Sequence, residues 1–167
     1  HAVFELQVAD NDFDAATVSL DRMLKAKLVS REEARRSRAV LLTARAQQLV
    51  ARGDEGAAKE ATDCALEAVG LQPGFAPAAV LAAEQLCNQH KEKRALKVLE
   101  AAWLAGPHAE IGQALLNVLR DESAYDRLAR LRNLLNAGAT GQELQTDEER
   151  VLLATAAIGA RDFDVAR

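Results

Sequence analysis

Aromatic residues are nearly missing from this chain of 167 residues, which holds one Trp, one Tyr and four Phe. Proline occurs three times and glycine nine times. No stretch alternates Val, Ile, Thr and aromatic residues, which argues against sandwiches, barrels and parallel α/β sheets. Two cysteines, Cys64 and Cys87, are too few for a disulfide framework and are not spaced as C-x-x-C. Free buried thiols in a reducing compartment are the expectation. No apolar run reaches the roughly 18 residues of a membrane span, and no signal peptide opens the chain. Catalytic signatures are missing as well: there are three His in all, and no G-x-S-x-G, Walker loop, H-E-x-x-H or dinucleotide fingerprint. The many carboxylates sit mostly at helix starts, where they cap and complement the dipole. An enzyme is therefore not expected, nor a metal site or resident cofactor.

What remains is alanine and leucine, 35 and 24 residues respectively. Both lose little in a helix, so the expected class is all-α, with a thin core of closely approaching helices. The net charge of −4 hides an asymmetry. Residues 22–52 carry nine Lys/Arg against Glu32 and Glu33, or +7, while the rest carries −11. Overall acidity excludes nucleic acid as a main partner, since phosphate neutralisation dominates such binding. The basic stretch suits an acidic protein or anionic headgroups.

Breakers divide the chain into short helices. Asn11-Asp12 opens one that runs to about Lys27. Ser30-Arg-Glu-Glu33 reads as a capping box for a helix ending at Gly53. Asp54 caps a helix to Gly70, Pro73-Gly74 turns the chain, and Pro77 occupies the first turn of a helix to about Gln89. Further helices are expected over 91–105, 108–119 and 123–136, followed by a polar loop over 138–145. Thr146-Asp-Glu-Glu149 is a second capping box, for a helix to about Ala160, and Asp162 starts the last helix. The short links imply antiparallel neighbours.

The helices pair and the pairs recur. Asp12-Phe-Asp-Ala-Ala16, Gly53-Asp-Glu-Gly-Ala-Ala58, Lys91-Glu-Lys-Arg-Ala95 and Arg161-Asp-Phe-Asp-Val-Ala166 each set a polar turn ahead of an alanine that begins a packed face. Ala58 to Ala95 is 37 residues and Ala95 to Ala166 is 71, close to two units. A period near 35 indicates a helical-hairpin solenoid, because a lone hairpin cannot bury its apolar face. Ala95, Ala102 and Pro107, and more loosely Ala58, Ala65 and Pro73, resemble the tetratricopeptide repeat. Leu42, Ala79 and Leu86 stand where that repeat places large aromatics. The expected organisation is an opening helix or partial first repeat over 1–29, then a repeat array over 30–167 with its last repeat cut short. The chain starts and stops within helical patterning, so a longer parent protein is expected.

A narrower resemblance runs through Arg35-Arg-Ser-Arg-Ala-Val-Leu-Leu-Thr-Ala44, Leu71-Gln-Pro-Gly-Phe-Ala-Pro-Ala-Ala79 and Val98-Leu-Glu-Ala-Ala-Trp103 with Pro107-His108. It continues in Glu122-Ser123 with Asp126-Arg127-Leu128, and in Asp162-Phe163 with Ala166-Arg167. In this order they resemble the alphaproteobacterial HemY family, which is distinct from the flavin-dependent protoporphyrinogen oxidase of the same name. The resemblance implies a bacterial protein held at the cytoplasmic side of the inner membrane by helices that precede a soluble repeat region. It also implies a role in late haem biosynthesis, with haem-pathway enzymes as partners.

Within a solenoid, the first helix of each hairpin lines a concave protein-binding groove. Arg38, Arg45, Ala79, Ala83 and Leu86 would line it here. Arg31, Arg35, Arg38, Arg45 and Arg52 share one helical arc with Leu42 and Leu49, so the arginine stems pack on apolar surface while their heads reach out. That arc fits a docking surface; equally, it fits an ordinary charged face paired with nearby acids. Trp103, the sole Trp, reads as the plug between neighbouring hairpins rather than a binding platform. A second reading is direct haem or porphyrin binding. Its ligands would be His108, at a helix start that disfavours the imidazolium, or Cys87 and His90, spaced three apart on one helix. The structural account is that Cys87 is packed, His90 serves the last carbonyls of its helix, and His108 belongs to a linking turn. A third reading is a spacer or oligomerisation domain.

Overall fold

The computed structural model describes residues 2–138 and 146–162. Among these residues there are nine α-helices and no strand, which makes the fold all-α. They are α1 (Ala2–Ala9), α2 (Phe13–Lys25), α3 (Arg31–Arg52), α4 (Glu55–Leu71), α5 (Ala76–Asn88), α6 (Glu92–Ala105), α7 (Ala109–Asn117), α8 (Ala124–Gly138) and α9 (Asp147–Gly159). No helix among the described residues is long and apolar enough to cross a membrane. The last expected helix, with Phe163, Ala166 and Arg167, and most of the loop over 138–145 lie outside the described residues.

The helix starts follow from local chemistry. Both capping boxes form: the Ser30 hydroxyl accepts from the Glu33 N–H at 3.1 Å while the Glu33 carboxylate accepts from the Ser30 N–H at 2.7 Å. Thr146 and Glu149 repeat the exchange at 3.2 and 3.1 Å. Each box satisfies two orphan donors. Donation from the Ser30 N–H, aided by the nearby Ser30 hydroxyl, holds the Glu33 carboxyl below its ordinary range by favouring the charged form. Asp54 caps α4 through the Ala57 N–H at 2.7 Å, and Pro77 sits in the first turn of α5. The helix opened by Asn11-Asp12 forms as α2 with Asp12 as its cap, and α1 precedes it as an additional helix.

Substantial packing occurs between helices one or two positions apart in the chain. The odd-numbered helices form a run of contacts, α3 on α5, α5 on α7 and α7 on α9, while α2, α4 and α6 each pack on both sequence neighbours. The core is accordingly distributed. Phe13, Leu20 and Leu41 close one cluster near α1–α3, and Ala46, Leu49, Ala61 and Leu81 join α3, α4 and α5. The largest cluster spans α5 to α9 around Leu86, Leu99, Trp103, Leu115, Leu131 and Leu152. Alanine supplies much of the buried surface, and a small side chain lets helix axes approach closely. Trp103 is 2% exposed, as expected for a plug. Its ring lies against α7 at Gly112, where a Cβ would come within 3.1 Å of ring atom Cζ3. A side chain there would make the ring or the helix give by a few tenths of an ångström.

Candidate functional site

Four of the five arginines in the α3 arc, Arg35, Arg38, Arg45 and Arg52, are bonded from within the chain. Arg38 pairs with Asp21 of α2. Arg45 bridges Asp14 of α2 and Glu60 of α4, both at 2.7 Å. Partial burial of Arg45 works against its charge, yet Glu60 and Asp14 outweigh that effect and raise its pKa further. Arg36 pairs with Glu32, Arg52 with Asp54 at 3.3 Å, and Arg35 donates to the Leu71 carbonyl that ends α4 at 2.8 Å. Arg38 and Arg45 thus clamp α3 to α2 and α4, while Arg31 and Arg35 border clefts beside the end of α4.

Ala79 and Leu86, both 0% exposed, are core residues where groove positions were expected, and Ala83 is 3% exposed. The reason is the central place of α5, which packs against α3, α4, α6 and α7. Eight of its thirteen residues are buried, so most of this Ala-rich helix is covered. Only Ala83 of the three reaches the floor of an open cleft.

That cleft, of about 460 Å³, runs between α5 and α7 above α6. Val80, Ala83, Glu84 and Cys87 come from α5, and Glu110, Gln113, Ala114 and Asn117 from α7. Each set is spaced i, i+3, i+4, i+7, the pattern of one helical face. Leu99 of α6 closes the floor, while Glu92 and Arg120 reach the rim. A smaller cleft of about 330 Å³ lies on the other side of α7, against α9, and shares Gln113; Trp103, Leu152 and Glu148 border it. Sequence reasoning missed Glu84, Glu110, Gln113, Asn117 and Arg120. The available signal was the matching stripe on two helices, but it gains meaning only when α5 and α7 are known to be neighbours.

The haem-ligand candidates do not converge on this cleft. Cys87 and His90 do not share a helical face, because α5 ends at Asn88. His90 follows in the left-handed region at φ 56°, with its N–H donating to the Cys87 carbonyl at 2.9 Å. His90 is exposed, whereas Cys87 is half-buried with Sγ 4.0 Å from the Val118 carbonyl. His108 is the N-cap of α7, where Nδ1 accepts from the Glu110 N–H at 3.2 Å. No group of three or more His, Cys, Asp or Glu among the described residues is arranged to hold a metal ion.

Burial pushes the Cys87 thiol up, Glu92 and Glu84 add to the shift, and Arg120 opposes it in part. The raised pKa means the thiol form dominates at neutral pH, and the stabilisation it brings is lost only as pH climbs through the alkaline range. Cys87 is therefore expected to react with a maleimide more slowly than free cysteine at pH 7, with the gap closing as pH rises. Labelling rates in a Cys64→Ala background measure this, and a rate equal to free cysteine at neutral pH would contradict it. No family model matches the chain, and no curated protein matches it.

Proposed function

We propose that this chain is a non-enzymatic protein-interaction scaffold of the tetratricopeptide type, a stack of helical hairpins that receives a partner along the cleft between α5 and α7. The observation that carries the reading is the cleft itself, with two matched helical stripes over an apolar floor and a polar rim. The contact run α3–α5–α7–α9 supports it, since odd helices stack this way when α3/α4 and α5/α6 are hairpins. The resemblance to the HemY family adds the setting. In that setting the parent protein is anchored at the cytoplasmic side of the bacterial inner membrane and organises haem-biosynthesis enzymes.

Photocrosslinking from Gln113 in the native cell tests the reading. Gln113 borders both clefts, whereas exposed Lys97 of α6 borders neither. A crosslinker at position 113 is expected to trap a protein partner that position 97 does not, and a haem-pathway enzyme is the expected identity. Equal adducts from both positions, or none, would sink the scaffold. A saturable haemin Soret change that His108→Ala abolishes would replace it with direct haem binding.

A further inference from the structure

We infer that the occupant of the α5–α7 cleft is a basic amphipathic peptide segment of a partner protein, with a large apolar side chain on the cleft floor and Lys or Arg flanking it. The inference rests on the interaction reading above and concerns the chemistry of the partner.

Charge sorting within the molecule carries the argument. Sequence composition places the excess of positive charge in residues 22–52, which would select an acidic partner. Four of the α3 arginines, however, pair with Glu32, Asp21, Asp14, Glu60 and Asp54, and Arg35 bonds the carbonyl that ends α4. The carboxylates of Glu84, Glu92 and Glu110 at the cleft have no ion pair or hydrogen bond among the described residues. Glu148 adds a further acid across α7. Arg120 is the one cationic side chain that lines the main cleft. The charge that faces an occupant of this cleft is therefore net negative, and it surrounds apolar surface.

Low-dielectric walls strengthen the field of such a rim, so a cationic segment gains attraction on approach and an anionic one meets repulsion. The floor of Val80, Ala83, Leu99 and Ala114 offers no polar partner, so the centre of the segment must be apolar. Lys and Arg suit the edges because their stems cover apolar surface while their heads reach Glu84 and Glu110. Each stripe extends about 10 Å along its helix, which matches two turns of a bound helix.

Three labelled peptides of about 14 residues, or four helical turns, test this. They carry leucine at the same helical spacing and differ only in having Lys, Gln or Glu at the remaining polar positions. Fluorescence anisotropy is expected to show saturable one-to-one binding of the Lys peptide, about tenfold tighter than the Gln peptide, with the Glu peptide unbound. Added salt should erode that preference. Glu84→Lys combined with Glu110→Lys should abolish the preference, and Ala114→Trp should block binding by filling the cleft. Glu84 and Glu110 are exposed, so the charge reversal is expected to keep the helical circular dichroism. Equal binding of the Lys and Gln peptides would overturn the charge inference while leaving the cleft as an interaction site. Lys-peptide binding that survives both variants would show diffuse attraction elsewhere and overturn it too. A monomer-dimer equilibrium that the charge reversal abolishes would identify a second copy as the occupant, with the same consequence. If no peptide binds, the inference fails, and the Gln113 crosslink alone then decides the scaffold.

Discussion

Replacing Glu122 with Ala is expected to cost about 3–5 kcal/mol, the usual range for breaking a buried ion pair from one side. Glu122 precedes α8 and accepts from Arg130 at both carboxylate oxygens, each at 2.8 Å. The two side chains are only 10% and 14% exposed. Arg130 also donates to the Leu115 carbonyl of α7 at 2.9 Å, so the pair ties the start of α8 to α7. Arg127 lies alongside, its Nε 3.7 Å from Glu122 and its Nη2 donating to the Glu122 carbonyl at 3.4 Å. Removing the carboxylate would leave two guanidinium groups together in a confined place, and Nη1 of Arg130 is already buried without a hydrogen-bond partner among the described residues. Urea unfolding of Glu122→Ala should show the fall in midpoint. Adding Arg130→Met should recover part of it by removing the stranded charge. A loss below about 1 kcal/mol would mean the pair behaves as a surface bridge. Arg36–Glu32, 62% and 74% exposed, is the surface comparison within the same chain.

Truncating Trp103 to Ala should be comparably severe, at about 3–5 kcal/mol. The ring is buried between α6 and α7, and Leu152 of α9 also closes on Gly112. Its removal opens a cavity that three helices share. Gly112 has no side chain to swing into that cavity, so relaxation requires the α7 backbone to move. Trp103→Phe should lose less, because the smaller ring still rests on Gly112. Circular dichroism must follow the Ala variant, since Trp103 is the sole tryptophan. A loss near 1 kcal/mol would show that α7 collapses onto α6 without strain.

The sequence announces helix starts far better than helix ends or neighbours. Ser30-Glu33, Asp54, Pro77 and Thr146-Glu149 are short-range devices, complete within four residues, and the structure contains each of them. The ends are harder to read, because the left-handed residues after α1, α2, α5 and α9 are Asn11, Lys27, His90 and Arg161, none of them glycine. Only Gly53 gives the familiar signal. His90 shows the cost: taken as helical, it seemed to face the same way as Cys87. α1 escaped notice because its apolar residues are spread around its axis. The site was hidden for a different reason. Alanine fits a covered face and an open one equally well, so Ala79 and Ala83 could not be sorted by composition. Likewise the positive charge of α3 is legible, but the acids that neutralise it, Asp14, Asp21 and Glu60, belong to other helices.

The neighbour-only packing of the helices also governs how the molecule comes apart. α1 has its substantial contact with α2 alone, whereas α5 touches four other helices. Among the described residues no substantial packing joins α1 to α9, so an opening at one end need not be felt at the other. Amide exchange would then be graded along the chain, fastest in α1 and slowest in α5, each region reporting its own opening free energy. The same locality shortens the loops that folding must close, which favours rapid assembly from any well-formed pair of adjacent helices. A partner held between α5 and α7 would bind the part of the chain that opens last.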